Sequence, residues 1–296
     1  MNYLTGYTIK PISVDKLGEV FFTDGTYNEI RANQTQCEAY GYTYDRASGT
    51  CMAFKNNTKL PRAINNINNK LNGVKNITEA GSNFVQINGI LNTSKGFNSS
   101  CFISGTSNTI ARYINNATAF GSSGKVAANN ATALGTLAEA TATNALVVGG
   151  NTEGDTLGTR QNITIMFGAR TLDSTVTDAW ISNAKTPSNF EIPLNSIITF
   201  QTETVAVRVG GTGGGSVGDF KAFIETGAAV CNSSGAITLD KSRSTIANVG
   251  TTSGWVSDVA VSGTSFIQQV KGANNRTVEW ATTMRITQLK AGVTIP

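Results

Sequence analysis

The sequence predicts an all-β chain: a parallel β-roll of short coils, a solenoid shaft, followed by a C-terminal antiparallel β-sandwich. A short helical, coiled-coil segment is expected ahead of the shaft. Three observations carry this. Only 14% of the 296 residues are charged, against roughly a quarter in an average globular domain, while 30 asparagines and 31 glycines supply polarity and turns. Glycine recurs at regular intervals through the middle of the chain. Beyond residue 160, alternating apolar and polar residues form discrete runs parted by Gly-, Ser- and Asn-rich turns.

The same composition excludes whole classes of function. There is no histidine, which removes His-based triads, His general bases and His metal ligands. No cofactor and no metal are expected. A net charge of +4 is too thinly spread for a nucleic-acid partner. No apolar run reaches the roughly 18–20 residues that cross a bilayer, so no membrane insertion is expected. The opening MNYLTGYTIKPISVDKLGEVF has no basic stretch followed by an apolar one. The expectation is synthesis in a cytoplasm without export by the general route.

Residues 1–60 read as mixed and irregular. GEVFFTDGTYNEI suggests a hairpin turning at Asp24-Gly25. Four cysteines are widely spread, and only Cys37 and Cys51 are close. Without histidine or a second close pair this is a poor zinc pattern. Free thiols are the first reading of that pair, a loop-closing disulfide formed after release from the cell the other. In residues 61–82, Ile64, Ile67, Leu71 and Val74 step by 3, 4 and 3, the seam of a short coiled coil. Pro61 suits a first helical position, and an irregular polar linker is the alternative.

Residues 83–152 carry the strongest signal. Segments ending in Gly89, Gly105, Gly121, Gly135 and Gly149 read NFVQING, SSCFISG, NNATAFG, NNATALG and TNALVVG, at intervals of 16, 16, 14 and 14 residues. Within a unit the small residue and the apolar residue two places on share one face of a short strand. Glycine permits the turn that ends it. Asparagine side chains can bond backbone at the turns and ladder from coil to coil. So short a strand buries nothing alone. Repeated, it stacks at the ~4.8 Å strand spacing into a solenoid with Ala117, Ala119, Ala131, Ala133 and Ala145 inside. Such a slim roll has little core, and packing several chains side by side completes it.

NNATAFG, NNATALG and the following AEATATNALVVG resemble the 14-residue head repeats of the YadA-like trimeric adhesins. The resemblance covers about a quarter of the chain and implies a left-handed parallel β-roll built by three chains. The same repeats occur in bacteriophage tail and head fibres, and that setting is the expected one, because a secreted adhesin would need a leader and a C-terminal membrane barrel. By this resemblance the chain is a virion structural fibre for host attachment. Residues 1–60 would meet other virion proteins, and the far end would meet a host cell-surface polysaccharide or protein.

From residue 160 to 296 at least six strands are expected. Val205, Val207 and Val209 share one face of the run Thr202–Val209, with polar neighbours between. The glycine stretch Gly210–Gly218 lacks the Lys-Ser/Thr of a phosphate-binding loop and reads as a flexible hairpin loop. Candidate receptor contacts are Trp255 at a loop edge, Lys241 and Arg243 in a polar turn, and Asn274 and Arg276 in another; Trp280 reads as core. Asp155, Asp173, Asp178, Glu191, Glu203, Asp219, Glu225, Asp240, Asp258 and Glu279 could supply a glycoside-cleaving pair, but their spacing selects none. The expectation is therefore a non-enzyme. A capsid head fibre, or a polysaccharide-degrading tailspike with coils of about 20 residues or more, are the alternatives.

Overall fold

The structure, a computed structural model, describes residues 3–46, 48–53, 68–181 and 189–296. They fall into two compact units, Met1–Asn65 and Asn66–Pro296.

In the first unit β1 (Lys10–Val14) pairs antiparallel with β2 (Val20–Thr23). The hairpin expected after β2 is reduced to one bridge, Phe22 with Ile30, around a turn in which Asp24 accepts from the Thr26 and Tyr27 N–H groups. α1 (Gln34–Ala39) opens on a capping box between Asn33 and Gln36, which satisfies two of its orphan N–H groups. β3 (Thr43–Asp45) and β4 (Thr50–Met52) form a second hairpin. Cys37 and Cys51 are joined in a disulfide, which corrects the free-thiol reading. Both sulfurs lie in a six-residue core with Ile9, Val20, Phe22 and Ala32, and so small a core gains from a covalent clasp between helix and hairpin.

The second unit begins as a solenoid. Each coil contributes one long and one short strand: β5 (Lys70–Val74) and β6 (Ile77–Thr78), β7 (Gln86–Ile90) and β8 (Thr93–Ser94), β9 (Phe102–Thr106) and β10 (Thr109–Ile110), β11 (Thr118–Ser122) and β12 (Lys125–Val126), β13 (Thr132–Thr136) and β14 (Glu139–Ala140), then β15 (Leu146–Gly150). The long strands form one parallel ladder and the short ones another, all in register. The alanines named from the repeat are buried, and Ile87, Ile103 and Val147 join them.

The roll therefore starts earlier than residue 83. Ile64 and Ile67 lie outside the described residues, but Leu71 and Val74 stand in β5, both exposed, and the coiled-coil seam fails there. Asn72 and Gly73 weaken a helix, whereas β7 offers this stretch a ready partner for its backbone.

The repeat glycines do not end their strands, as the sequence suggested, but stand one residue inside them. Gly73, Gly89, Gly105, Gly121, Gly135 and Gly149 are each the fourth residue of their strand and sit in register. A Cβ on Gly89 or Gly105 would fall deep inside the carbonyl oxygen of the glycine on the next coil, and both hold φ near +120°. Only glycine fits that column.

The chain then reverses through β16 (Arg160–Thr171), β17 (Val176–Asp178), β18 (Phe190–Glu191), β19 (Ser196–Gly210), β20 (Phe220–Cys231), β21 (Ile237–Val249), β22 (Val256–Ser262), β23 (Ser265–Lys271) and β24 (Thr277–Lys290). β16 pairs antiparallel with β15, so the long-strand ladder continues without a break into β16, β24, β19, β20 and β21 as one 11-stranded sheet. β17, β18, β22 and β23 form a four-stranded sheet that covers one face of the long strands, with Phe266 edge-on to Phe200 at 4.9 Å. A single apolar core runs from Val85 in the roll to Ile286 in β24.

Val205, Val207 and Val209 do share a face, but it is the outer one. Thr202, Thr204, Ala206 and Arg208 point inward and are buried. The inner hydroxyls are satisfied by one another, Thr204 lying 2.9 Å from Ser257 and 2.8 Å from Thr282. A chain of bonded hydroxyls removes the burial penalty.

Candidate functional site

Lys241 and Arg243 were expected in a turn, but both stand within β21 and face carboxylates. The Lys241 ammonium lies 2.8 Å from Asp258 and 3.2 Å from Glu225, and also donates to the Val259 carbonyl. Arg243 donates to the Ser257 carbonyl at 2.8 Å and to Asp258 at 3.1 Å. The Glu225 side chain is only 2% exposed and accepts from the Val259 N–H. Burial pushes its pKa up, while the Lys241 charge pulls the other way. Lys221, farther along β20, is pushed down by burial and by the Arg243 charge. The cluster ties β20, β21 and β22 together. Both carboxylates meet the same ammonium, an adjacency that spacing in the chain does not reveal.

Trp255 is not a loop-edge contact. It is 1% exposed and packs on Trp280 with ring centres 6.0 Å apart. The Thr252 carbonyl accepts from the Trp255 backbone N–H, in a turn that folds the indole inward. Asn274 accepts from the Ser174 N–H and hydroxyl, and Arg276 donates to the Thr251 carbonyl at 2.6 Å. Both therefore hold neighbouring loops in place.

The glycine stretch is not a loose loop either. The Arg208 guanidinium, 3% exposed, donates to the carbonyls of Gly210, Gly211, Gly213 and Gly214 at 2.7–3.0 Å. Asp219 takes the N–H groups of Ser216 and Thr251. A buried guanidinium is tolerable because carbonyl oxygens fill its donor fork, and the glycines let the backbone wrap closely enough to supply them.

The surface that sequence reasoning missed is the outer face of the 11-stranded sheet. Val205 is 60% exposed, and Val207, Phe220 and Met166 are also open. Clefts of about 400 and 450 Å³ flank β24; Val205, Val207 and Phe220 line one, Met166, Gly168 and Trp180 the other, and Glu279, Trp280 and Ala281 are common to both. The ion pairs Arg170–Glu279 and Arg285–Glu203 stand on the same face. On the roll, Phe120 (55% exposed), Leu134 and Val148 occupy one outward column of strands, as the strand reading of the repeat requires. Alternation alone shows that two faces differ, not which of them meets water.

No protein-family model matches the chain, and no curated protein matches it. Solved structures similar to it include the tailspike protein of Acinetobacter baumannii phage AM24, 11% identical with a TM-score of 0.28 over 77% of this chain and 55% of that one. Another is the tailspike protein gp49 of Acinetobacter baumannii bacteriophage Fri1, a capsular polysaccharide depolymerase, 9% identical with a TM-score of 0.24 over 74% of this chain and 44% of that one. The chain spans about half the length of the tailspikes it matches. The sequence expectation of a non-enzyme is withdrawn against the second of these, a depolymerase.

Proposed function

We propose that the chain is a bacteriophage fibre protein that attaches the virion to its host's surface, working as a homotrimer. Residues 1–60 join it to other virion proteins, the roll with its YadA-like repeats is the shaft, and residues 160–296, a β-sandwich domain, present loops to a cell-surface polysaccharide or protein. One observation carries this reading. The sheet that begins in the roll and ends at β21 exposes large apolar side chains on its outer face, among them Phe120, Val148, Val205 and Phe220, beside the ion pairs Arg170–Glu279 and Arg285–Glu203. Exposed large apolar side chains rimmed by polar ones favour an interface, and a slim roll gains the core it lacks from neighbouring copies. Three weak contacts on one rod then multiply through effective concentration.

Light scattering on the purified protein should give three times the mass of the 31.1 kDa chain, and preincubating host cells with it should block phage adsorption. A monomer that leaves adsorption untouched overturns the reading. Antibody labelling of intact particles places the fibre on tail or capsid. A second reading, in which the fibre also cuts the polymer, draws on the buried, raised-pKa Glu225 beside Asp258. Release of new reducing ends from host capsule, lost in Glu225→Gln and Asp258→Asn, would establish it; no release from capsule that the protein binds would remove it.

A further inference from the structure

Two-residue excursions set the 16-residue coils apart from the 14-residue ones. Between the short and long ladders the earlier coils carry Ala80-Gly81, Gly96-Phe97 and Arg112-Tyr113 in register, with the Phe97 N–H bonded to the Ala80 carbonyl and the Tyr113 N–H to the Gly96 carbonyl. In the next coil Ala127 already takes the place of Ala111 and Asn129 that of Asn115, so Ala128 stands alone where Arg112, Tyr113 and Ile114 stood.

Phe97 and Tyr113 are thus stacked, ring centres 5.1 Å apart and planes 12° from parallel, as a slab of two rings. Below Phe97 the matching position is Gly81, which has no side chain. Above Tyr113 the coil is two residues shorter and offers no third ring. Among the described residues no third ring extends the stack, and Tyr113 is 64% exposed.

The slab is also held rigidly. Both aromatic residues sit at φ of 63–64°, a left-handed conformation unusual for bulky side chains that persists only where the surroundings enforce it. Glu79 braces the same turns: it accepts from the Gly96 N–H at 3.1 Å and pairs with Lys95 at 3.1 Å and Arg112 at 2.9 Å. Arg112 first, then Lys95 and the Gly96 N–H, hold its carboxyl down to about 2. One carboxylate shared by two cations leaves a net positive charge beside the rings, and both cations are about half exposed.

We propose that this slab is a saccharide-stacking site: a pyranose ring of an acidic surface polysaccharide lies on the exposed ring of Tyr113, its carboxylate facing Arg112 and Lys95. The C–H groups on one face of a sugar carry slight positive charge and meet the negative face of the ring. Preordered rings lose little entropy on binding. The site rests on the attachment reading above and names the ligand class and the residues. It lies on the segment returning from the short to the long ladder, not on the strands bearing Phe120 and Val148.

The test is an array of bacterial capsule oligosaccharides, uronate-bearing and neutral, probed with the full-length protein. Wild type should bind uronate-bearing members, and Tyr113→Ala should weaken this by roughly tenfold or more with unchanged mass and unfolding midpoint. Arg112→Gln should erode the preference for acidic sugars. Tyr113→Trp keeps an aromatic face, should retain binding, and its indole emission should change with bound oligosaccharide. The site is overturned if Tyr113→Ala binds as wild type does, if that emission ignores a sugar the protein binds, or if Tyr113→Ala changes the oligomer mass. Protein that blocks adsorption yet binds no saccharide sinks this site and leaves attachment standing; protein that does neither sinks both.

Discussion

Asn108 donates both its backbone N–H and its side-chain amide to the Oδ1 of Asn92, one coil below, at 3.0 and 3.1 Å. Asn92 does the same to Asn76. Each of the two upper amides also reaches the carbonyl of a column glycine, Gly121 and Gly105 respectively, at 2.8 Å. Asn92 and Asn108 are fully buried, so a polar spine runs inside the corner of the roll. Asn92→Ala removes bonds from both neighbouring coils and strands buried partners, each worth about 1–3 kcal/mol. Equilibrium denaturation should show a loss in that range, while Asn72→Ala, at an exposed rung position, should change little.

The glycine column gives a sharper contrast. Gly105→Ala adds both a backbone collision and left-handed strain, each costing about 1–3 kcal/mol. Gly150→Ala meets nothing within 4 Å and should fall within about 0.5 kcal/mol of wild type. Similar unfolding midpoints for the two variants would contradict the stacked-glycine account.

Removing Lys241 strands Glu225. Lys241→Met should cost about 3–5 kcal/mol near neutral pH, the usual consequence of orphaning a buried charge. Burial has already raised the Glu225 pKa, and the variant loses the charge that opposed the rise. A group whose folded pKa exceeds its unfolded value binds more protons in the native state, so stability falls as pH climbs through that window. The penalty should therefore shrink toward about pH 4; a deficit independent of pH would disprove the assignment.

Cys37→Ser opens a 14-residue separation, and loops of that size contribute roughly 3 kcal/mol when closed. Only the Met1–Asn65 unit carries this clasp. Calorimetry of the full chain with and without reductant should move one transition and leave that of the roll in place.

Val205→Asp places a charge on the outer face, where the single chain tolerates it because the residue is exposed. Light scattering should show trimer giving way to monomer with the circular dichroism spectrum preserved. A trimer surviving this change would put the interface elsewhere.

Glu79 sets a pH limit on the saccharide site. With a folded pKa of about 2 against about 4.3 unfolded, its contribution is present above the unfolded value and lost as pH falls toward the folded one. Saccharide binding should therefore hold at about pH 5 and fade toward about pH 2, as read by the Tyr113→Trp emission.

The roll was legible because its signal is local and repeated. Gly89 through Gly149, with Ala117 and Ala119 beside them, announce a coil without knowledge of any distant contact. The long strands β16, β19 and β24 were legible for the same reason. The partners of the candidate contacts were not: Trp255, Asn274 and Arg276 do lie in turns, but Trp280, Ser174 and Thr251, which close on them, are distant in sequence.

By itself, then, the chain's periodicity determined its class and its rung length, since those follow from backbone geometry within one coil. Only the tertiary structure decided which face of β19 meets water, that Glu225 and Asp258 share Lys241, and that Phe97 and Tyr113 stack. Those outcomes depend on pairing between strands tens of residues apart, and a one-residue choice of face inverts every side chain on the strand.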